Sequence, residues 1–238
     1  MKFNSSLLLA AFFGLLISCT SRQDQQSDNR FSEVRTLDGV SRLKISGVFD
    51  LNLTQSDQES LTLDGSEEMA KKLKVTQEGD LLILEMEELN SGFFEDYELN
   101  VNLSISDLQE LEFDGVGNIK TTGNFALKSF KISGEGIGNL SLDIEANTID
   151  ANLNMMGNMT LRGKADTMVL KNEGIGNIDA SNLITQKLEL VSSGIGKVAV
   201  HCEGELSLEV DGIGAVSYSG NPTVIKERVD GIGKVTRN

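Results

Sequence analysis

One residue ahead of each copy of a short recurring motif stands a polar side chain. In order these are Asp114, Glu135, Asn154, Glu173, Ser193, Asp211 and Asp230. If successive copies stack in register, Asp114 comes beside Glu135 and Asp211 beside Asp230. Like charges on adjacent strands repel unless they splay into water or a cation bridges them. Three chemistries fit such acids: solvated turn residues, a weak calcium site built from carboxylate oxygens, or a carboxylate pair cleaving a glycan. The glycan reading is weakened by a shortage of aromatic faces to stack on sugar, since Trp is absent and Tyr occurs twice. His201, the single histidine, lies between Val200 and Cys202. Strand alternation sends it outward, and one His without His or free Cys partners is a poor metal site. No Gly-x-Ser-x-Gly elbow and no phosphate-binding loop occur. Gly136-Ile137-Gly138 lacks the third glycine and the following helix of a dinucleotide fingerprint. Solvated acids are the simplest reading, so the sequence assigns no catalytic residue, no metal ligand and no cofactor.

The motif itself is the stronger signal. It appears seven times: Gly115-Val116-Gly117-Asn118, Gly136-Ile137-Gly138-Asn139, Met155-Met156-Gly157-Asn158, Gly174-Ile175-Gly176-Asn177, Gly194-Ile195-Gly196-Lys197, Gly212-Ile213-Gly214-Ala215 and Gly231-Ile232-Gly233-Lys234. The steps are 21, 19, 19, 20, 18 and 19 residues. Repeats of this period bury their apolar face only against their neighbours, which defines a solenoid. The expected fold is all-β: a parallel β-solenoid, or β-helix, of about 18–21 residues per coil, with one short helix near residues 67–73.

Within a repeat, apolar residues recur at every second position ahead of the motif, as in Leu188 and Leu190 or Leu206 and Leu208. After it the alternation resumes with Val198, Val200 and Cys202. That is the period of a strand with one buried face, and it places Cys202 in the core. Paired glycines suit a sharp corner because they reach φ > 0 at little steric cost. The Val or Ile between them is expected to point inward and fill that corner, in one stacked column. Asn118, Asn139, Asn158 and Asn177 would stack as a hydrogen-bonded ladder, which Lys197, Ala215 and Lys234 do not continue.

Residues 33–110 also read as strands. Leu43 to Leu53 repeats the strand, Gly-apolar bend and strand logic around Gly47-Val48 and serves as a divergent opening coil. Thr62–Asp64, Leu81–Met86 and Glu98–Ile105 read as further strands. Ser66, followed by Glu67, Glu68, Lys71 and Lys72, is a capped short helix with acids first and bases last. Residues 87–97, with Phe93 and Phe94, read as a less regular loop.

Lys2 and the apolar run Leu7–Ile17 form an export signal, too short to span as a transmembrane helix. The signal covers residues 1–18 and closes on Leu16-Ile17-Ser18-Cys19, which resembles a bacterial lipobox. That resemblance implies cleavage before Cys19 and lipid on it, with membrane attachment as the consequence. Residues 19–32 are polar and aperiodic, and read as a flexible tether; residues 33–238 form the domain. The full chain of 238 residues carries a net charge of −15. Loss of Lys2 with the signal leaves 20 basic against 36 acidic residues. Such a chain does not favour nucleic acid.

Together, the early Gly47-Val48-Phe49-Asp50, the short helix and the serial Gly-Ile-Gly-Asn units at 115, 136 and 174 resemble the auto-transporter adhesin head GIN domain family. The resemblance covers about residues 33–238. It departs at Met155, in place of a first glycine, and at Ser106-Asp107-Leu108, where members often carry Pro before Leu. It implies a β-solenoid-like envelope protein and carries no catalytic residue over. The expected role is a lipid-anchored, non-catalytic adhesin-like or structural binding module of the bacterial envelope, at the outer membrane, facing the periplasm or the surface. Its partner would be an envelope protein, a glycan or a second copy of the chain. The alternative is a carbohydrate-binding or polysaccharide-active β-helix. A groove lined with acids and aromatics would favour that alternative; a face without one would favour the binding module.

Overall fold

The computed structural model describes residues 31–87 and 98–238. The signal, Cys19 and the Phe93-Phe94 loop lie outside the described residues, as does most of the tether. The first strand, β1, runs Phe31–Thr36, so regular structure begins two residues before the expected start of the domain.

From residue 110 onward the chain is a parallel solenoid. Strands β8 (Glu110–Val116) and β9 (Ile119–Thr122) make one coil. Both pair in parallel with β10, Phe125–Asn172, which winds through more than two coils. It is followed by β11 (Ile175–Ser192), β12 (Ile195–Val210), β13 (Ile213–Ser219), β14 (Thr223–Val229) and β15 (Ile232–Arg237). The registers of β10 on β11 and β11 on β12 set motif on motif: Gly157 opposite Gly176 opposite Gly196. The core is the inside of the coil. Leu111, Ile132, Ala151, Leu170, Leu190 and Leu208 stack there, each 2 % exposed or less. Cys202 lies among them, fully buried, with a free thiol.

The opening coil is also present. β2 (Arg42–Val48) pairs with β8 in parallel, with Gly47 opposite Gly115 and Val48 opposite Val116. β3 (Asp50–Gln55) pairs likewise with β9.

The N-terminal end departs from a simple solenoid. β6 (Leu81–Met86) stacks in parallel on the other side of β2, and β7 (Leu99–Ile105) on the other side of β3. The coil first in sequence is therefore second in space. β4 (Ser60–Gly65) and β5 (Leu73–Glu78) pair antiparallel with β7 and β6, and β1 pairs antiparallel with β4. Between β4 and β5 sits the expected helix, α1, Glu67–Lys72. The Ser66 side chain accepts from the Met69 amide, and Met69 and Ala70 are buried. Two i,i+4 ion pairs, Glu67–Lys71 and Glu68–Lys72, lie on its outer face.

Candidate binding face at the glycine corners

The corners are tighter than a bend alone requires. Gly176 and Gly196 hold φ of +145° and +143°, a region L side chains avoid. A Cβ on Gly196 would stand 1.7 Å from the carbonyl oxygen of Gly176, and one on Gly176 would stand 1.8 Å from that of Gly157. The same approach, at 1.8–2.0 Å, holds for Gly117 on Phe49, Gly138 on Gly117 and Gly214 on Gly196. Close backbone stacking, in addition to the corner, selects glycine.

The residue between the glycines points outward, not inward as expected. Val116 is 45 % exposed, Ile137 53 %, Ile175 48 %, Ile195 46 %, Ile213 50 % and Ile232 77 %. In-and-out alternation runs unbroken through the motif. Phe113, Gly115, Gly117 and Ile119 share the inner parity, so Val116 takes the outer one. A small void of about 20 Å³ lies at the corner of the first coils, bordered by Phe49, Phe113, Ile119 and Met155. Met155, which replaces a first glycine, is 9 % exposed and fills that space with its side chain.

The single stacked column is nonetheless real, on the outside. Val48, Val116 and Ile137 pair in register, as do Met156, Ile175, Ile195, Ile213 and Ile232. The two runs join where Gly157 packs on Gly138. Eight coils thus each present one aliphatic side chain.

A polar column flanks it on either side. On one flank is the amide ladder. The Nδ2 of Asn118 donates to Asp50 Oδ1 at 3.0 Å, Asn139 to Asn118 at 2.9 Å, Asn158 to Asn139 at 3.4 Å and Asn177 to Asn158 at 3.1 Å. Asp50, at the Asn place of the divergent Gly47-Val48-Phe49-Asp50 unit, starts the ladder in the opening coil. Lys197 and Lys234 extend the column beyond it. On the other flank stand the acids. Asp114 pairs in register with Glu135, as expected. Asp230 is held by the Arg228 guanidinium. The hydrogen bond and charge of Asp230, with Asp211 and Glu209 nearby, keep that guanidinium above its ordinary pKa. A side-chain cation thus serves the Asp211–Asp230 end. Among the described residues, no three His, Cys, Asp or Glu side chains converge to hold a metal ion.

His201 points outward but is more engaged than a free surface residue. Its side chain is 22 % exposed, with Nε2 2.7 Å from Glu203 Oε1 and Nδ1 3.0 Å from the Ser219 hydroxyl. Glu203 also accepts from the Asn221 amide. The His201 hydrogen bond first, and the Asn221 amide second, lower the Glu203 pKa. The cluster pins the Ser219–Asn221 turn to the coil beneath. Sequence reasoning missed it because Ser219 and Asn221 each lie 18 residues from their partners, His201 and Glu203, and meet them only through coil register.

Away from the corners, an open groove of about 800 Å³ crosses several coils. Lys128, Glu145, Lys164 and Asp166 line it over a floor that includes Ala126, Ala146 and Ala165. It carries charges of both signs and no aromatic side chain, so it lacks a platform for sugar stacking.

This architecture matches known proteins. Residues 40–222 match the family described as "Putative auto-transporter adhesin, head GIN domain", and the chain belongs to that family. No curated protein sequence matches it. Among solved structures it resembles a "putative adhesin" of Bacteroides fragilis, with 20 % identity, a TM-score of 0.80, and coverage of 89 % of this chain and 98 % of that one. It also resembles a "putative adhesin" of Parabacteroides merdae, at 17 % identity, a TM-score of 0.66, and coverage of 89 % and 97 %. A third is a "putative lipid binding protein" of Parabacteroides distasonis, at 19 % identity, a TM-score of 0.62, and coverage of 87 % and 96 %. These likenesses establish the fold. Among the described residues, no helix is long and apolar enough to cross a membrane.

Proposed function

We propose that this chain is a non-catalytic, adhesin-like binding module, held at the bacterial envelope by lipid on Cys19, with the glycine corners as its protein-binding face. The observation that carries this reading is the external aliphatic column. Eight coils each expose a Val, Ile or Met at the same place. Each packs on its in-register neighbours yet leaves about half of its side chain in solvent, and a contiguous exposed apolar line marks an interaction surface. The lipid anchor rests on the lipobox at residues 16–19. An envelope protein suits this face better than a glycan, because the column at its centre is aliphatic and gives a sugar no aromatic platform to stack on.

The test uses the full-length protein, immobilised in mild detergent and exposed to envelope extracts. Protein should be retained, retention should fall with Ile175→Asp/Ile195→Asp, and it should vanish when the extract is treated with protease but not with periodate. Equal retention by the wild type and the double variant would overturn the reading. Loss to periodate alone would transfer the function to the glycan alternative.

A further inference from the structure

The three outward columns at the corner are self-complementary, and we infer that the protein partner of this face is a second copy of the chain, paired side by side in the same direction. This inference rests on the protein-binding reading above and names its partner.

Stacked coils repeat about every 4.8 Å. A second copy presents the same repeat, so the two aliphatic columns mesh coil for coil without strain.

Charge then selects the orientation. Across the corner the order is acid column, aliphatic column, amide–lysine column. A two-fold axis parallel to the solenoid axis sets the aliphatic column on itself and exchanges the flanks. Glu135 then faces Asn139 of the same coil in the other copy, Glu173 faces Asn177, and Ser193 faces Lys197. The amide ladder uses one N–H of each Asn side chain, and each amide has a second to offer a carboxylate. A two-fold axis across the solenoid would instead bring the two acid columns together, with Asp114 on Asp211 and the other acids offset from one another by a single coil, which is destabilising. The contact is isologous and closes as a dimer.

Size sets the strength. Eight coils span roughly 34 Å and the three columns roughly 13 Å, so the footprint is roughly 900 Å² over both copies. That lies below the roughly 1,200 Å² of a standard stable interface, and the pairing is weak in dilute solution. Anchoring both copies in one membrane raises their effective concentration without new contacts. The parallel orientation puts both N-termini at the same end, which is the arrangement one membrane permits.

The experiment is a cysteine scan of the full-length protein in its own membrane, oxidised mildly and read as dimer on a non-reducing gel. Val48→Cys, Ile175→Cys and Ile232→Cys should each form a disulfide dimer with itself, at least tenfold above Asn147→Cys in the groove. Cys202, fully buried, supplies no background. Lys197→Glu in the Ile175→Cys background sets a carboxylate opposite Ser193, between Glu173 and Asp211 of the other copy, and should cut the yield about five- to tenfold because the two-fold repeats the repulsion. Adding Ser193→Lys should restore it. Dimers at Ile175→Cys alone, or a mixed dimer between Val48→Cys and Ile232→Cys, would mean antiparallel pairing and overturn the proposal. No dimer at any of the three positions would overturn it as well. If extracts from cells lacking the gene still yield an Ile175-dependent protein, the binding reading stands while the second-copy proposal fails.

Discussion

Gly196 sits directly over Gly176, so close that a single added carbon on Gly196 would come within 1.7 Å of the Gly176 carbonyl oxygen. No rotamer change relieves that contact, because both partners are backbone. Gly196→Ala should therefore cost at least about 2–3 kcal/mol, combining a forbidden φ with a forced separation of coils. Gly123 has open space around its Cβ position at φ +80°, so Gly123→Ala should cost only about 1–2 kcal/mol of backbone strain. Urea denaturation of both variants measures the difference, and equal losses would mean stacking is not what demands glycine.

The outward aliphatic column predicts an unusual contrast between neighbours in sequence. Leu190 is fully buried and Ile195 is 46 % exposed. Leu190→Ala should cost about 2–5 kcal/mol, whereas Ile195→Ala should stay within about 1 kcal/mol, close to a surface change. Thermal unfolding of the two variants checks this. A large loss at Ile195 would place it in the core after all.

Asp80 gives a pH signature. It accepts from Arg42 at 2.7 and 2.9 Å and from Ser41 at 3.0 Å, and the Arg42 hydrogen bond first, then Ser41, lowers its pKa from 3.8 to about 2. A carboxylate with a depressed folded-state pKa adds stability above its unfolded value and loses it as pH falls through the folded one. Wild type should exceed Asp80→Asn in stability by a constant margin from neutral pH down to about 5, and that margin should close between about pH 4 and 2. Chemical denaturation at stepped pH reads the margin; a margin that widens in acid would contradict the assignment.

Membrane attachment through Cys19 has its own test. Cys19→Ala should release the protein from the membrane fraction or leave an unprocessed precursor. Normal processing with unchanged membrane association would remove the lipid anchor from the account.

Much of this was written in residue parity. The repeat spacing gives the solenoid, and the run Leu188, Leu190, Val198, Val200, Cys202 gives its buried side. The same parity, carried through Gly194 and Gly196, also puts Ile195 outside. An apolar residue at a corner suggests inward filler, but Ile195 sits between two inner-parity glycines and is therefore set outside. The amide ladder was legible in the repeated Asn; Asp50 holds the same place in the opening coil, two residues after Val48 as Asn118 is after Val116, but its carboxylate kept it out of the Asn series. The antiparallel strands β1, β4 and β5 were beyond reach for a different reason. Alternation fixes which side of a strand is buried but says nothing of which strand lies next to it. The His201 cluster likewise depends on which coil lies below.

The placement of β2 between β6 and β8 bears on how the molecule is assembled and how its length can change. Residues 42–48 complete their pairing only with strands that follow them by tens of positions, so the N-terminal block must close as one unit after residue 116 has been made, through a costly loop closure. Beyond β9 each turn needs only the turn before it, and structure can propagate along the chain as it emerges. Gain or loss of one turn there leaves every other pairing intact, so this half can be lengthened or shortened in single steps. The block before it has no such freedom: it is the fixed base on which a molecule of adjustable reach is built.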